Sequence, residues 1–485
     1  MRGQRPHLVI VGGGFAGASA AVQAVNRASR PLQVTLFEPR AELGRGLAYR
    51  TPDPDHRINA HVVFHPIDPT DIGQVKRWLQ ADGLLARDPE AQCAFGVFPR
   101  RADFGRYLHE SMQAAMASNP SGSTIVHRRG RVRDLRVVGA GVRVETTEGR
   151  PIDADAAIVA TGNPPPRVPT AMHACAGHRS CVTDPFADGA LDHVDRDLPV
   201  LIIGTSLTAA DMIASLIRRG HRASITAFSR RGLRPRTHRV PDPNIRIDEL
   251  ADDFLVAMMM RPMAEFLVPA GGGPPTVRFL LRALRARIRE TAAQGQPWQA
   301  AFDDLRDAVW RFWPRMADDE KRRFIARLRV WYDVHRFRIP PQTQALLDAA
   351  ESDGRLRFAR YGLRAVEPLG PDRLRVALAG RDGRCETEVG TLINCTGLDL
   401  AVAPEAGSLA ANWLADGRLQ RHPTGLGFRV DDACRPLAAD GSAPDAVRFV
   451  GPATVGHFGD PLGAVFIEMQ IHRMLPGLLA HLTPC

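Results

Sequence analysis

The chain opens on a polar tail and then an unbroken apolar run, His7-Leu-Val-Ile-Val-Gly12, that ends in three glycines. A short continuous run of this kind predicts a strand buried on both faces. Small residues from Ala16 to Ala24 follow at helix-compatible spacing, and Leu32–Phe37 reads as a second strand. The same order returns in mid-chain. Pro199-Val-Leu-Ile-Ile-Gly204 is another buried strand, Thr205–Arg219 a helix ended by Gly220, and Ala223–Ser229 the next strand. A supersecondary unit is thus repeated.

Between the repeats, Arg131–Val138 and Val142–Glu145 alternate like a β-meander and lead into Asp155-Ala-Ala-Ile-Val-Ala160. The proline run Pro164-Pro-Pro166 is a stiff crossover between domains. Residues 247–340 break the rhythm, with helical periodicity over Ile247–Phe266, Val277–Ala293, Trp298–Trp313 and Asp318–Tyr332. This block reads either as a cover over a substrate or as packing and dimer surface. Strands return at Gly390–Gly397 and Val447–Gly451, and a last helix is expected from about Ala464 to Leu482. The pattern predicts an α/β protein with two Rossmann-like dinucleotide-binding domains and a mostly helical insertion in the second. The expected bounds are 1–165 for the first part of one domain, 195–390 for the other, and 391–485 for the remainder of the first.

Composition narrows the choices. With 44% hydrophobic and 24% charged residues in 485, the chain can bury a large core without staples. The formal charge of +10 is mostly arginine and is dispersed, which suits small anionic ligands and argues against nucleic acid. No apolar stretch reaches membrane-helix length. Seven scattered cysteines (93, 175, 181, 385, 395, 434 and 485) argue against a disulfide framework and for a reducing, cytoplasmic setting. His173, Cys175, His178 and Cys181 lack paired-knuckle spacing and read as an interdomain loop, so no metal is expected. A homo-oligomer is left open.

The chemistry begins at Gly12-Gly13-Gly14-Phe15-Ala16-Gly17. Gly12 allows the tight turn off the strand, Gly14 lets backbone approach a pyrophosphate, and Gly17 allows close helix–strand packing. The helix N-terminus then offers unpaired N–H groups and a positive dipole end to phosphates. Glu38 ends the second strand, 21 residues after Gly17, where an acid accepts from ribose hydroxyls. An acid there fits FAD or NAD and repels a 2′-phosphate. The second turn, Gly204-Thr205-Ser206-Leu207-Thr208, departs from the fingerprint: Ser206 stands for the middle glycine and Ala209 for the third. Its second strand ends in Ser229-Arg230-Arg231, and arginines there suit a 2′-phosphate. That site is read as binding NADPH.

Several segments carry a family resemblance. The endings Ala160-Thr161-Gly162 and Asn394-Cys395-Thr396-Gly397 resemble turns near the cofactors of the two-dinucleotide-binding-domain flavoproteins. Gly46-Leu47-Ala48-Tyr49, Arg57-Ile-Asn59-Ala60, Phe98-Pro-Arg-Arg101, Asp184-Pro-Phe186 and Trp331-Tyr-Asp-Val-His335-Arg336 resemble a bacterial FAD/NAD(P)-binding protein family. That family is similar to flavin-dependent N-hydroxylating and class B monooxygenases. The resemblance implies FAD at the first turn and adds Pro39, the Gly46–Tyr49 segment, Asn59, the two turns just named and Gly451 to its cofactor-contacting set. It supplies no substrate beyond a small molecule.

Phe449-Val-Gly451 resembles the last flavin-contacting strand of the superfamily, with Gly459-Asp460 later than the usual position. Asp460 is therefore a displaced candidate for the flavin ribityl chain, and His457 a candidate proton donor or acceptor near the reacting oxygen. Phe186-Ala-Asp-Gly189-Ala-Leu-Asp-His193 resembles the class B FxGxxxH signature with one extra residue. No CxxC lies near the first turn, which argues against disulfide reductases. Met258, Met259, Met260 and Met263 read as core or pocket wall, and Arg278, Arg282, Arg285 and Arg289 as a solvated helix face. The leading expectation is an FAD-dependent, NADPH-using monooxygenase working through a C4a-(hydro)peroxyflavin. The alternatives are an FAD oxidoreductase without oxygen transfer and a non-catalytic flavin redox sensor.

Overall fold

The computed structural model describes residues 5–239, 249–381, 383–398, 401 and 404–483. Two five-stranded parallel sheets carry the fold. In the first, the order is Val447–Phe449, Ala156–Val159, His7–Val11, Gln33–Phe37, Thr124–Arg128. In the second it is Cys181–Val182, Thr391–Asn394, Val200–Ile203, Ile225–Ser229, Leu356–Arg360. Parallel strands need crossovers that cover both faces, and this is why the central strands are apolar at nearly every position. Leu8, Val9 and Ile10 have no exposed surface.

Each sheet carries a three-stranded antiparallel meander: Val132–Val138, Gly141–Thr146 and Ile152–Ala154 on the first, Gly362–Pro368, Leu374–Gly380 and Gly383–Val389 on the second. The helix Phe15–Arg27 is built from glycine and alanine on its inner side, so it packs close to its sheet and to the C-terminal helix Ala464–Leu482. Gln23 Nε2 joins those two helices by donating to Glu468 O at 3.2 Å.

Four expectations change. The strand Thr391–Asn394 lies in the second sheet, beside Val200–Ile203, so the division falls after it and not at 391. The helix expected over Ile247–Phe266 is only Phe254–Met259, followed by a 3-10 turn at Glu265–Leu267; Ile247 itself lies outside the described residues. Pro262 explains the stop: it has no N–H and disfavours α geometry at Arg261. The helix expected over Asp318–Tyr332 is two, Asp318–Arg327 and Arg329–Arg336, divided at Leu328. Finally, Cys175 and Cys181 form a disulfide with Cα atoms 6.0 Å apart, because the turn after the 3-10 segment Thr170–Cys175 brings Cys181 back beside it. This one local bridge stands where the sequence argued against a disulfide framework, and Cys485 lies outside the described residues.

A buried ion pair ties down the segment between the first strand–helix unit and the helix Arg101–Ala117. Arg57 donates to Asp88 through Nη1 at 2.7 Å and Nη2 at 2.9 Å, and Nη1 also reaches Phe98 O at 2.9 Å. Asp88→Ala leaves the guanidinium without its buried carboxylate. The expected loss is about 3–5 kcal/mol of unfolding free energy, read from denaturant titration.

Candidate functional site at two glycine turns

The first turn is held by close backbone approaches. Gly12 has φ of +101°, and a Cβ there would lie 2.3 Å from Ala160 O. At Gly17 a Cβ would lie 1.8 Å from Gly12 O, so the helix starts against the turn itself. Glu38 is 8% exposed; its Oε2 accepts from Gly13 N at 3.0 Å and its Oε1 from Arg40 N at 3.1 Å. A carboxylate has about four lone-pair positions, so acceptor capacity remains for a ribose. No side chain caps the helix Phe15–Arg27, and no acid stands in its first turn. Its leading N–H groups and dipole therefore remain available to an anion.

Other expected residues gather at this turn. Phe15 and Ala16 open the helix and are buried. A Cβ on Gly14 would meet Gly46 Cα at 3.3 Å, and one on Gly451 would meet Ala16 Cβ at 3.8 Å. Pro39 is half-buried beside Glu38, Leu47 is half-buried and Ala48 exposed. Tyr49 sets its ring edge against Phe104 at 4.8 Å and Phe15 at 6.2 Å, and burial pushes its phenol up to about 12. Ala160 is buried, while Thr161 and Gly162 are exposed on an open bend. These residues fit a dinucleotide: two strand ends, an uncapped helix and an acid converge on one glycine surface.

The second turn repeats the geometry with different chemistry. Gly204 has φ of +109°, and a Cβ would lie 2.1 Å from Cys395 O. Thr205 Oγ1 donates to Ser229 Oγ at 3.0 Å, which accepts from Gly232 N at 2.9 Å. The turn and the end of the next strand are thereby linked. Ser206 is exposed at the start of the helix Leu207–Arg218, with no side-chain cap; Leu207 and Thr208 are half-buried. Arg230 and Arg231 are exposed, and neither has an ion pair among the described residues. The Arg231 guanidinium lies 5.5 Å from the Trp331 ring. Thr396 Oγ1 is committed to Arg167 O at 2.8 Å and Asn394 Oδ1 at 2.9 Å, and Gly397 faces open space.

A clamp that sequence reasoning missed joins the two turns. Arg101, buried at the start of its helix, pairs with buried Asp211 of the helix Leu207–Arg218 at 2.8 Å. His56 contacts Ser215 Oγ at 3.0 Å, Ser215 donates to Asp53 at 2.7 Å, and Arg218 pairs with Asp53 and Asp55. Asn59 O accepts from His238 Nε2 at 2.7 Å. The signal was present in the Phe98-Pro-Arg-Arg101 segment, but its partner Asp211 is distant in sequence.

Three candidates are not brought to the turns. Asp460 is buried against Arg336, whose Nε donates to its Oδ2 at 2.8 Å. Its contacts are with the helical block, which removes the support for a ribityl role. His457 pairs with exposed Asp432 at 2.8 Å and shares a polar hollow with His422 and Lys321, so no proton role at a flavin rests on its surroundings. His193 is exposed, and Phe186 packs edge-on against His56. Among the described residues no cluster of three or more His, Cys, Asp or Glu could hold a metal. No helix among them is long and apolar enough to cross a membrane.

Residues 9–164 match the family model described as FAD-NAD(P)-binding. The whole chain superposes on solved hydroxylases. The ornithine N-hydroxylase of Kutzneria sp. 744, solved with reduced FAD, NADP+ and L-ornithine, matches at TM-score 0.61 and 17% identity, over 99% of each chain. The L-lysine 6-monooxygenase of Pseudomonas syringae matches at 0.62 and 14%, over 99% of this chain and 100% of that one. The ornithine hydroxylase of Pseudomonas aeruginosa matches at 0.62 and 13%, over 99% and 100%. The chain has the fold of these N-hydroxylating flavoproteins. No curated protein sequence matches it.

Two predictions follow from the site's packing and burial. Gly17→Ala drives a methyl into Gly12 O; the expected cost is about 1–3 kcal/mol, seen as a lower thermal midpoint. Burial holds His65, His238, His422 and His472 near a pKa of about 4, below the usual 6.5. The folded state therefore binds fewer protons than the unfolded one in this window. Stability is full above about 6.5 and is lost as pH falls toward 4. Denaturant midpoints measured between pH 7 and pH 4 should decline, and His238→Gln should reduce the slope.

Proposed function

We propose that this chain is an FAD-dependent, NADPH-using monooxygenase acting on a small molecule. The observation that carries the reading is the pairing of an acid-ended turn with an arginine-ended turn, locked together by Arg101 and Asp211. Glu38 accepts from an unphosphorylated ribose, and the uncapped helix Phe15–Arg27 receives the diphosphate of FAD. Arg230 and Arg231 receive the 2′-phosphate of NADPH, with Trp331 beside them. FAD, when bound, supplies hydride acceptance and dioxygen activation. The residues of the chain bind and orient the two nucleotides, and the helical block excludes water from the reacting region.

The fold shared with an ornithine N-hydroxylase solved with reduced FAD and NADP+ supports oxygen transfer over simple hydride passage. The balanced reaction consumes one dioxygen and one NADPH with a proton, puts one oxygen atom on the substrate, and releases the other as water. The test begins with the purified protein: it should be yellow or become so with added FAD, and anaerobic NADPH should bleach that absorbance. A colourless protein that cannot be reconstituted overturns the proposal. Replacing Arg230 and Arg231 with Ala should raise the KM for NADPH about tenfold per arginine and leave that for NADH nearly unchanged. Equal effects on both count against the 2′-phosphate site.

A further inference from the structure

The helical block forms a partly open cavity of about 170 Å³. Its wall is mostly apolar, with Leu284, Leu305, Val309, Phe312, Ile325 and Leu328 among the lining residues. A space of about 150 Å³ lined by such residues is large enough for a benzene ring. The wall is completed from the other side by Gly459, Asp460 and Leu462. These lie on the segment that leaves Gly451 at the first glycine turn and ends at the C-terminal helix. Trp313 Nε1 donates to Gly456 O at 2.9 Å and fastens the block to that segment.

The few polar atoms of the cavity are incompletely used. Asp460 is 3% exposed; Arg336 takes its Oδ2, while Oδ1 is buried with no partner. The Tyr332 hydroxyl is likewise buried without a partner. Both residues line the cavity. A buried acceptor left unsatisfied is costly, and more so when charged. A ligand that donates a hydrogen bond there recovers that cost. Asp333, also on the wall, is paired with Arg329 at 3.3 Å. Arg329 also lines the wall, but Asp333 already engages it, so a zwitterionic amino acid would have to compete with Asp333 to place its carboxylate. Burial raises both aspartates, Asp333 to about 6, as expected for carboxyls in an apolar setting.

We infer that this cavity is the substrate site and that it takes an apolar amine, with an aromatic or branched body of about six to eight carbons and one N–H directed at Asp460 Oδ1. The inference rests on the oxygen-transfer reading above for the choice of amine over alcohol: an activated oxygen is electrophilic, and an amine offers both the donor that Asp460 lacks and a lone pair. The body fills the space between Leu305 and Ile325, and the nitrogen stays at the end nearest the flavin-domain segment. The substrate class thus differs from the dibasic amino acids named for the hydroxylases of the same fold.

The test is calorimetric titration of the FAD-loaded protein with phenethylamine, ethylbenzene and L-ornithine. Phenethylamine should bind at least tenfold tighter than either of the others. Leu305→Phe, which fills the cavity, should weaken phenethylamine at least tenfold at unchanged flavin content. Asp460→Asn should weaken phenethylamine about tenfold and leave ethylbenzene unaffected, because the amide oxygen stays on Arg336 and turns an N–H toward the ligand. Tyr332→Phe keeps the volume and gives a second reading of the polar end if Asp460→Asn does not fold. L-Ornithine binding as tightly as phenethylamine, or Leu305→Phe without effect, overturns the site. If the protein takes up no flavin yet phenethylamine still binds and Leu305→Phe blocks it, the cavity assignment stands and the redox reading falls.

Discussion

The buried contact between Arg101 and Asp211 is the constraint on which the two-turn arrangement depends. Neither residue belongs to a glycine turn, yet each stands on a helix that fixes one. Arg101 begins a helix packed against the first strand–helix unit, and Asp211 sits one turn into the helix that leaves Gly204. Two charges withdrawn from water attract strongly at 2.8 Å, and removing either leaves the other stranded. Asp53, His56, Ser215 and Arg218 add a rim of hydrogen bonds around it. The distance between the nucleotide cradles is therefore set by side chains and not by the linking chain alone.

Both sheets use one solution to the same problem. A strand buried on both faces must be covered by crossovers, and the crossover helix then presents its uncapped end at the strand's carboxyl edge. What differs is the residue that closes the second strand: Glu38 in one copy and Arg230 with Arg231 in the other. The copies are similar in backbone and opposite in charge at this one position.

Most of the fold could be read from the chain because its signals are local. The runs His7–Val11 and Val200–Ile203, the glycines that follow them, and the last helix at Ala464–Leu482 each declare themselves within a few residues. The turn residues Gly12 to Gly17 could be placed for the same reason. What could not be read was set by distant partners. Asp460 and His457 follow a strand that does return to the first sheet, but their side chains are claimed by Arg336 and Asp432. Cys175 and Cys181 were visible as a pair of cysteines, but not as a bonded pair. The helical block was visible as helical; Pro262 and the break at Leu328 divided it differently.

The chain passes between the sheets twice, and the two passages run side by side. Pro166 forms an isolated antiparallel bridge with Leu398, and Arg167 N donates to Gly397 O at 3.2 Å. A pair of adjacent straps behaves differently from one. It permits folding about their common line and opposes sliding or twisting across it. The Arg101–Asp211 contact then closes the fold that the straps alone would permit, so the halves are held at two separate places.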